Sequence, residues 1–167
     1  MGQRARRPRD ARLVGEPLVT DTDQMVTWLR AAMDAAKHRA EEAAADTGSA
    51  NWEYQPSGIL DAMEPAGFMV ATGSQDFLEP ERGQFMAAND PAAVLRRIAA
   101  DRQLLDDLIA EQHNVVEDPA YTCPAATTER DGGRNYHPGP CNCARDERVH
   151  RRVRLLAEGY GWTEEER

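Results

Sequence analysis

All three cysteines of this chain lie in its last third, on a segment that has few other means of holding a fixed shape. They are Cys123, Cys141 and Cys143, and residues 114–143 around them are rich in Gly, Pro and small polar side chains. A stretch of roughly 30 residues without regular structure is uncommon inside a compact domain, so it is either disordered or held by a specific interaction. Cysteine thiolates and histidine imidazoles are the ligands of structural zinc sites. We therefore predict that a zinc ion fastens this loop.

Zinc in a structural site takes four nitrogen or sulfur ligands in a tetrahedron. The predicted ligands are His113, Cys123, Cys141 and Cys143. His137 is the first substitute, and His150 is a weaker one because two helical turns, roughly 10 Å, would separate it from Cys143. The alternative is that the cysteines are free thiols, since one C-x-C and a lone cysteine differ from the paired C-x2-C spacing of many zinc sites.

Motifs of the common enzyme classes are absent from the sequence. It contains no G-x-x-x-x-G-K-[ST] or G-x-G-x-x-G loop for nucleotides, no H-E-x-x-H and no G-x-S-x-G. Asp106 and Asp107 are adjacent carboxylates, but neighbours on a helix point in different directions and cannot share one site. A metal with four protein ligands also has no open position for water or substrate. These observations predict a structural metal and a protein that is not an enzyme.

Hydrophobic periodicity predicts two long helices and a C-terminal helix. The first covers residues 21–46, with N-caps among Asp21, Thr22 and Asp23 and an end near Gly48. The second begins at Asn89-Asp90-Pro91, which places a capping residue before a proline, and runs to about His113. Its predicted apolar stripe is Val94, Leu95, Ile98, Leu105, Leu108 and Ile109. The last helix, residues 144–158, has an apolar face made of Val149, Val153, Leu156 and Tyr160.

The segment between the two long helices has the pattern of short strands and turns. Residues 52–54 alternate as a strand does, and residues 59–60 and 68–70 are short apolar runs bounded by Pro and Gly. A small antiparallel sheet of two or three strands and a short helix over residues 82–89 are expected. The predicted fold class is therefore α+β, with the two long helices and the C-terminal helix packed beside the sheet.

The predicted organisation is a single domain over residues 21–162, with 114–143 as its metal-stapled loop. Residues 1–20 form a flexible basic arm, and residues 163–167 form a tail. No run of about 18 apolar residues exists, so no membrane helix is expected. The arm lacks the apolar segment of a secretory signal. An odd number of cysteines fits reduced thiols in a cytoplasm better than a secreted disulfide framework.

The charges of the chain are unevenly distributed. The net charge of -9 disfavours general attraction to nucleic acid, but two groups of arginines run against it. The arm and the last helix contribute Arg4, Arg6, Arg7, Arg9, Arg148, Arg151 and Arg152. A zinc-organised loop that leads into a basic helix is one way to present that helix to a groove of DNA or RNA. In the alternative interpretation, the last helix pairs its arginines with its own acids.

Four segments resemble an uncharacterised family of small proteins from actinobacteria and their phages. They are Met25-Val26-Thr27-Trp28-Leu29, the Trp52 strand, the helix that opens with residues 89–96, and residues 152–157 followed by Tyr160. The resemblance covers about residues 21–162. It implies a Cys/His cluster before the last helix and a phage or prophage accessory setting, and it brings no established activity.

We therefore expect a non-enzymatic accessory protein, stabilised by structural zinc, that acts in the cytoplasm of a bacterial or phage-infected cell by binding a partner protein from host or phage. The alternative is a small zinc-containing regulator that binds DNA or RNA through the basic arm and the Arg-rich last helix. A membrane partner is not expected.

Overall fold

A three-stranded sheet lies between the first and second long helices in sequence, as expected. The structure, a computed structural model, describes residues 20–63, 68–73, 77–116, 122–126 and 139–163. Its helices and strands are, in order, α1 (Asp21–Thr47), β1 (Trp52–Tyr54), β2 (Leu60–Ala62), β3 (Phe68–Ala71), α2 (Pro80–Ala88), α3 (Pro91–Ala110) and α4 (Arg145–Gly159). The antiparallel sheet has the order β1-β2-β3. The predicted α+β class is confirmed.

The main core lies where α1, α3 and α4 pack together. Its buried side chains come from all three helices and from the turn after α4: Met25, Leu29, Met33, Ile98, Leu105, Leu108, Val149, Val153, Ala157 and Trp162. Trp162 also meets the edge of the Trp28 ring, with centroids 5.1 Å apart and planes at 76°. Burial of this apolar stripe from each helix supplies the main driving force for the bundle.

Both ends of α1 have specific caps. The N-cap is Thr20. This residue lies one position before the predicted N-caps and within the range predicted as the basic arm. Its hydroxyl accepts a hydrogen bond from the Asp23 amide, and the Asp23 carboxylate accepts one from the Thr20 amide in return. This reciprocal pairing satisfies two amides at the helix start. Gly48 ends the helix with φ +72°, a conformation that favours glycine.

The second long helix, α3, begins where predicted and ends earlier. Asp90 caps it by accepting a hydrogen bond from the Ala93 amide at 2.6 Å. The helix stops at Ala110 rather than near His113, because Glu111 turns to φ −58° and ψ +121°. One apolar stripe residue, Ile109, is wrongly predicted as core, since it is 38% exposed beside this helix end.

The helix α2 packs against one face of the sheet. Cross-strand partners share a face, and Trp52 with Ala62 and Tyr54 with Leu60 form the inner one. The helix α2 starts at Pro80, two residues before the predicted position, and places Gly83 against the Tyr54 ring. A β-carbon at that glycine would lie 2.0 Å from a ring carbon, so glycine permits this close approach.

Asp90 also joins the sheet to the bundle. Its second carboxylate oxygen accepts a hydrogen bond from the Trp52 amide at 3.2 Å, while the first caps α3. The Asp90 side chain is buried, so the two bonds compensate for removing a carboxylate from water.

Several predictions lie outside the described residues: the basic arm before Thr20, His137, and the end of the tail from residue 164. Among the described helices, none combines the length and the apolar character that crossing a membrane requires.

Candidate metal centre

The four residues predicted as preferred ligands come together in space. One donor atom from each of His113, Cys123, Cys141 and Cys143 lies within 4.8 Å of all the others. His113 Nδ1 is 3.7 Å from the sulfurs of Cys123 and Cys143, and the sulfurs of Cys141 and Cys143 are 3.6 Å apart. A tetrahedral zinc with its usual bond lengths would place sulfurs about 3.8 Å apart and sulfur and nitrogen about 3.6 Å apart. The donors could therefore hold one metal ion.

Three separate pieces of the chain carry these donors. His113 follows the end of α3, and Cys141 and Cys143 precede α4, with Ala144 at φ +58° turning the chain into that helix. Cys123 is brought in by backbone hydrogen bonding, because its amide donates to the Asn114 carbonyl at 2.9 Å. A short turn follows, in which the Ala126 amide donates a hydrogen bond to the Cys123 carbonyl at 2.9 Å. The cluster thus joins the end of one helix to the start of another.

The environment of the thiols differs from one cysteine to the next. Burial is the largest influence on each and disfavours the thiolate. At Cys143, the Asn114 amide and the His113 ring outweigh burial and lower the pKa to about 6. Amides of Asn142 and Ala125 likewise lower the pKa of Cys123, whereas burial raises the pKa of Cys141. The thiolate is the form that binds metal, so amides directed at sulfur prepare the loop for a cation.

The imidazole of His113 has its two nitrogens in different surroundings. Nδ1 faces the sulfurs, while Nε2 lies 3.6 Å from Oδ1 of Asp146 in the first turn of α4. The side chain is only 7% exposed, so the ring is held in a defined orientation. Arg145 donates to the same oxygen of Asp146 at 3.0 Å.

Arginines at the start of α4 hold the cysteine loop against α3. Arg145 donates to the carbonyls of Ile109 and Glu111 at 3.0 and 2.6 Å, which satisfies the open end of α3. Arg148 donates to the Cys143 carbonyl at 2.9 Å and to the Glu111 carboxylate at 2.6 Å. The bond from Arg148 also keeps the pKa of Glu111 below its usual value, against a smaller opposing effect of desolvation.

Of the remaining candidate residues that the structure describes, none joins the cluster. His150 Nδ1 lies 2.9 Å from the Thr22 hydroxyl, between α4 and the start of α1. Of the helix arginines predicted to contact nucleic acid, Arg148 and Arg152 pair with Glu111, and Arg151 is exposed. The arginines of the arm, like His137, lie outside the described residues.

Sequence reasoning missed Arg145, Asp146 and Glu111 as supports of the centre. Arg145 and Asp146 lie two and three positions after Cys143, so the sequence shows an acid in the first turn of the last helix as a helix-dipole partner. Nothing local to the sequence indicates that His113, more than 30 positions earlier, faces that acid. Beside the cluster, His113, Cys143 and Arg148 line an open cleft of about 580 Å³, so the site can be reached from solvent.

Fold and site together define a small α+β domain with a cluster of three cysteines and one histidine between two helices. The chain belongs to the family described as a family of unknown function (DUF6221), whose model matches residues 22–161. No curated protein and no solved structure matches the chain.

Proposed function

We propose that the chain is a non-enzymatic accessory protein in which one structural zinc ion holds the loop before α4. The observation that carries the zinc assignment is the set of four donors, three of them sulfur, that lie within 4.8 Å of one another, with three of the donor pairs 3.6 to 3.7 Å apart. Thiolates with an imidazole favour zinc over hard cations such as magnesium or calcium, which prefer oxygen ligands. Four protein ligands complete the tetrahedron, so the ion stabilises the fold and has no position left for a substrate.

Metal content tests the zinc assignment. Protein purified without added metal should contain about one zinc per chain. Cobalt exchanged into the site should show the visible absorption of a tetrahedral thiolate complex. Cys141→Ser should lose the ion, whereas His150→Gln, which changes a histidine outside the cluster, should keep it. Wild type that contains no zinc after such purification, and that takes up none on titration, would show the assignment to be wrong.

The second part of the proposal is that the sheet binds a partner protein. Its outer face carries Glu53, Asp61 and Met69, which are successive cross-strand partners, and Met63 follows on the same side of β2. Met63 and Met69 are 43% and 53% exposed. Exposed methionines are common on surfaces that bind other proteins because their side chains adapt in shape.

The sheet, α2 and the segment between them also expose every phenylalanine in the chain. Phe68, Phe77 and Phe85 are 55%, 44% and 69% exposed, although the chain has only three phenylalanines. In the bundle, by contrast, the large aromatic side chain of Trp162 is buried. The exposure of all three phenylalanines in this part of the chain supports a binding role for it.

The outer face also indicates the chemistry of the partner. Glu53 lies directly opposite Asp61 on the neighbouring strand, an arrangement that destabilises a sheet because like charges repel. A partner that brings lysine or arginine beside an apolar contact would relieve this repulsion and cover the methionines. We therefore propose a protein segment that is both basic and apolar as the occupant of this face.

Variants of the two exposed surfaces test partner binding. The sheet variant is Met63→Ser with Met69→Ser, and the matched control is Leu104→Ser with Leu155→Ser, two exposed leucines of the bundle. A protein that co-purifies with wild type and the control but not with the sheet variant, and that binds purified wild type more weakly at higher salt, supports the proposal. Equal retention by both variants would contradict it.

The biological setting and the second candidate function are also proposals. A phage or prophage origin rests on the sequence resemblance, and a cytoplasmic location rests on the reduced thiols that the metal requires. In the nucleic-acid alternative, Arg151, which is exposed on α4, would contact a phosphate. Arg148 and Arg152 already pair with Glu111, so binding a phosphate there would first have to break those pairs.

A further inference from the structure

Asp146 is positioned to act on the metal through His113. Its Oδ1 lies 3.6 Å from Nε2 of the ring whose other nitrogen, Nδ1, faces the sulfurs of Cys123 and Cys143. A histidine that binds metal through one nitrogen carries its proton on the other, and that N–H is commonly directed at a carboxylate. We infer that Asp146 is the positioning residue that orients the His113 ring and strengthens its bond to the metal.

The carboxylate is itself held in place by the end of α3. Arg145 donates to Oδ1 of Asp146 at 3.0 Å and, through its other nitrogens, to the carbonyls of Ile109 and Glu111. Asp146 is 56% exposed, so packing alone does not fix it. The arginine therefore supplies the restraint, and a chain of contacts runs from the α3 terminus through Arg145 and Asp146 to the His113 ring.

The inference rests on the proposed zinc site, and a chelator competition experiment separates the two. Zinc affinity is measured by titration against a chromophoric chelator for wild type, Asp146→Ala and Asp146→Asn. Removal of the outer carboxylate should lower the affinity by about 10- to 100-fold. The asparagine variant should recover part of the loss, because its amide oxygen still accepts a hydrogen bond although it has no charge.

Glu147→Ala is the matched control. Glu147 is the other acid in the first turn of α4, so its removal costs the same favourable interaction with the helix dipole. It should leave zinc affinity near the wild-type value. An equal loss in Glu147→Ala and Asp146→Ala would assign the effect to helix electrostatics and would overturn the inference.

Nitrogen-15 NMR of the His113 ring in the zinc-loaded protein provides a readout that a purely structural role would not change. In wild type the Nε2–H faces the Asp146 carboxylate, so its proton should exchange slowly with water. In Asp146→Ala that exchange should be faster while the backbone spectrum stays folded. Unchanged exchange together with unchanged affinity overturns the role of Asp146 and leaves the zinc site standing. Wild type that binds no zinc overturns both.

Discussion

The helical bundle and the cysteine loop meet at α3 and α4, but different forces hold them together. The bundle buries an apolar stripe from each of three helices, including Leu29, Leu105 and Val153, which are almost fully buried. The loop buries Cys123 and His113, brings four possible metal donors together and is held by arginine bonds to backbone carbonyls. The difference teaches that α4 is anchored by apolar burial along its core side, whereas its first turn is anchored by polar contacts and would gain further support from the metal proposed there.

The largest expected effect is a loss of free energy of unfolding when a core side chain of the bundle is truncated and the four metal donors are left unchanged. Leu105→Ala removes a side chain that is 1% exposed, and such substitutions cost about 2–5 kcal/mol of the free energy of unfolding. Urea unfolding followed by circular dichroism measures the loss. Leu104→Ala, one residue away and 49% exposed, should change stability by less than about 0.5 kcal/mol. If both variants lost the same stability, the bundle would not be held by the burial described.

The next effect should be confined to the loop. Cys123→Ser removes a donor that is 1% exposed, so zinc should no longer bind tightly. At free zinc about 100-fold above its dissociation constant, losing the bound ion costs about 2.7 kcal/mol of stability by mass action.

Hydrogen exchange locates that loss. In Cys123→Ser, amide protection should fall at residues 111–116, 122–126 and 141–146, and it should persist around Val153 in α4. Release of the whole of α4 would show that the bundle depends on the metal and would break the comparison. His150→Gln serves as the control, because its ring pairs with Thr22 rather than with the sulfurs.

A smaller effect is expected where the bundle meets the sheet. Asp90→Ala removes the cap on Ala93 and the bond to the Trp52 amide, at a cost of about 1–2 kcal/mol. Thermal unfolding measures the change, and Asp107→Ala, an exposed acid of α3, is the control. Zinc content should be unchanged. A cost no greater than that of the control would show that the cap and the bridge contribute nothing measurable.

The smallest effect should come from the ion pairs on the outside of the bundle. Arg30 and Asp106 join α1 to α3 at 3.2 Å, but their side chains are 57% and 69% exposed. Exposed pairs of this kind contribute about 0.2–1 kcal/mol, less at high salt. A double-mutant cycle with Arg30→Gln and Asp106→Asn in urea unfolding checks this. A coupling as large as the cost of Leu105→Ala would show that charge, rather than burial, holds the bundle.

The parts of the molecule that were predictable depend on local chemistry. Asp90 before Pro91 identifies the start of α3, and the spacing of Met25, Leu29 and Met33 identifies the buried face of α1. Residue type and position along the chain together selected the four preferred donors, since few soft ligands lie around the loop. Local patterns of this kind act within a turn or two of helix, and the residues concerned are near neighbours.

What could not be predicted depends on contacts between distant positions. The periodicity of α3 continues towards His113, but the helix ends at Ala110, where Glu111 leaves the helical conformation and Arg145 donates to the carbonyls of Ile109 and Glu111. That arginine lies 34 positions beyond Glu111. The contact between Asp146 and His113 could not be predicted for the same reason, because the sequence between the two residues has no periodic pattern.

The contacts at the two ends of α3 make it a spacer of fixed length. Its N-cap, Asp90, accepts a hydrogen bond from β1, and His113, three residues past its end, lies in the Cys/His cluster. A helix of 20 residues spans roughly 30 Å and does not stretch. A partner bound to the sheet, as proposed above, would therefore lie at a set distance from the cluster.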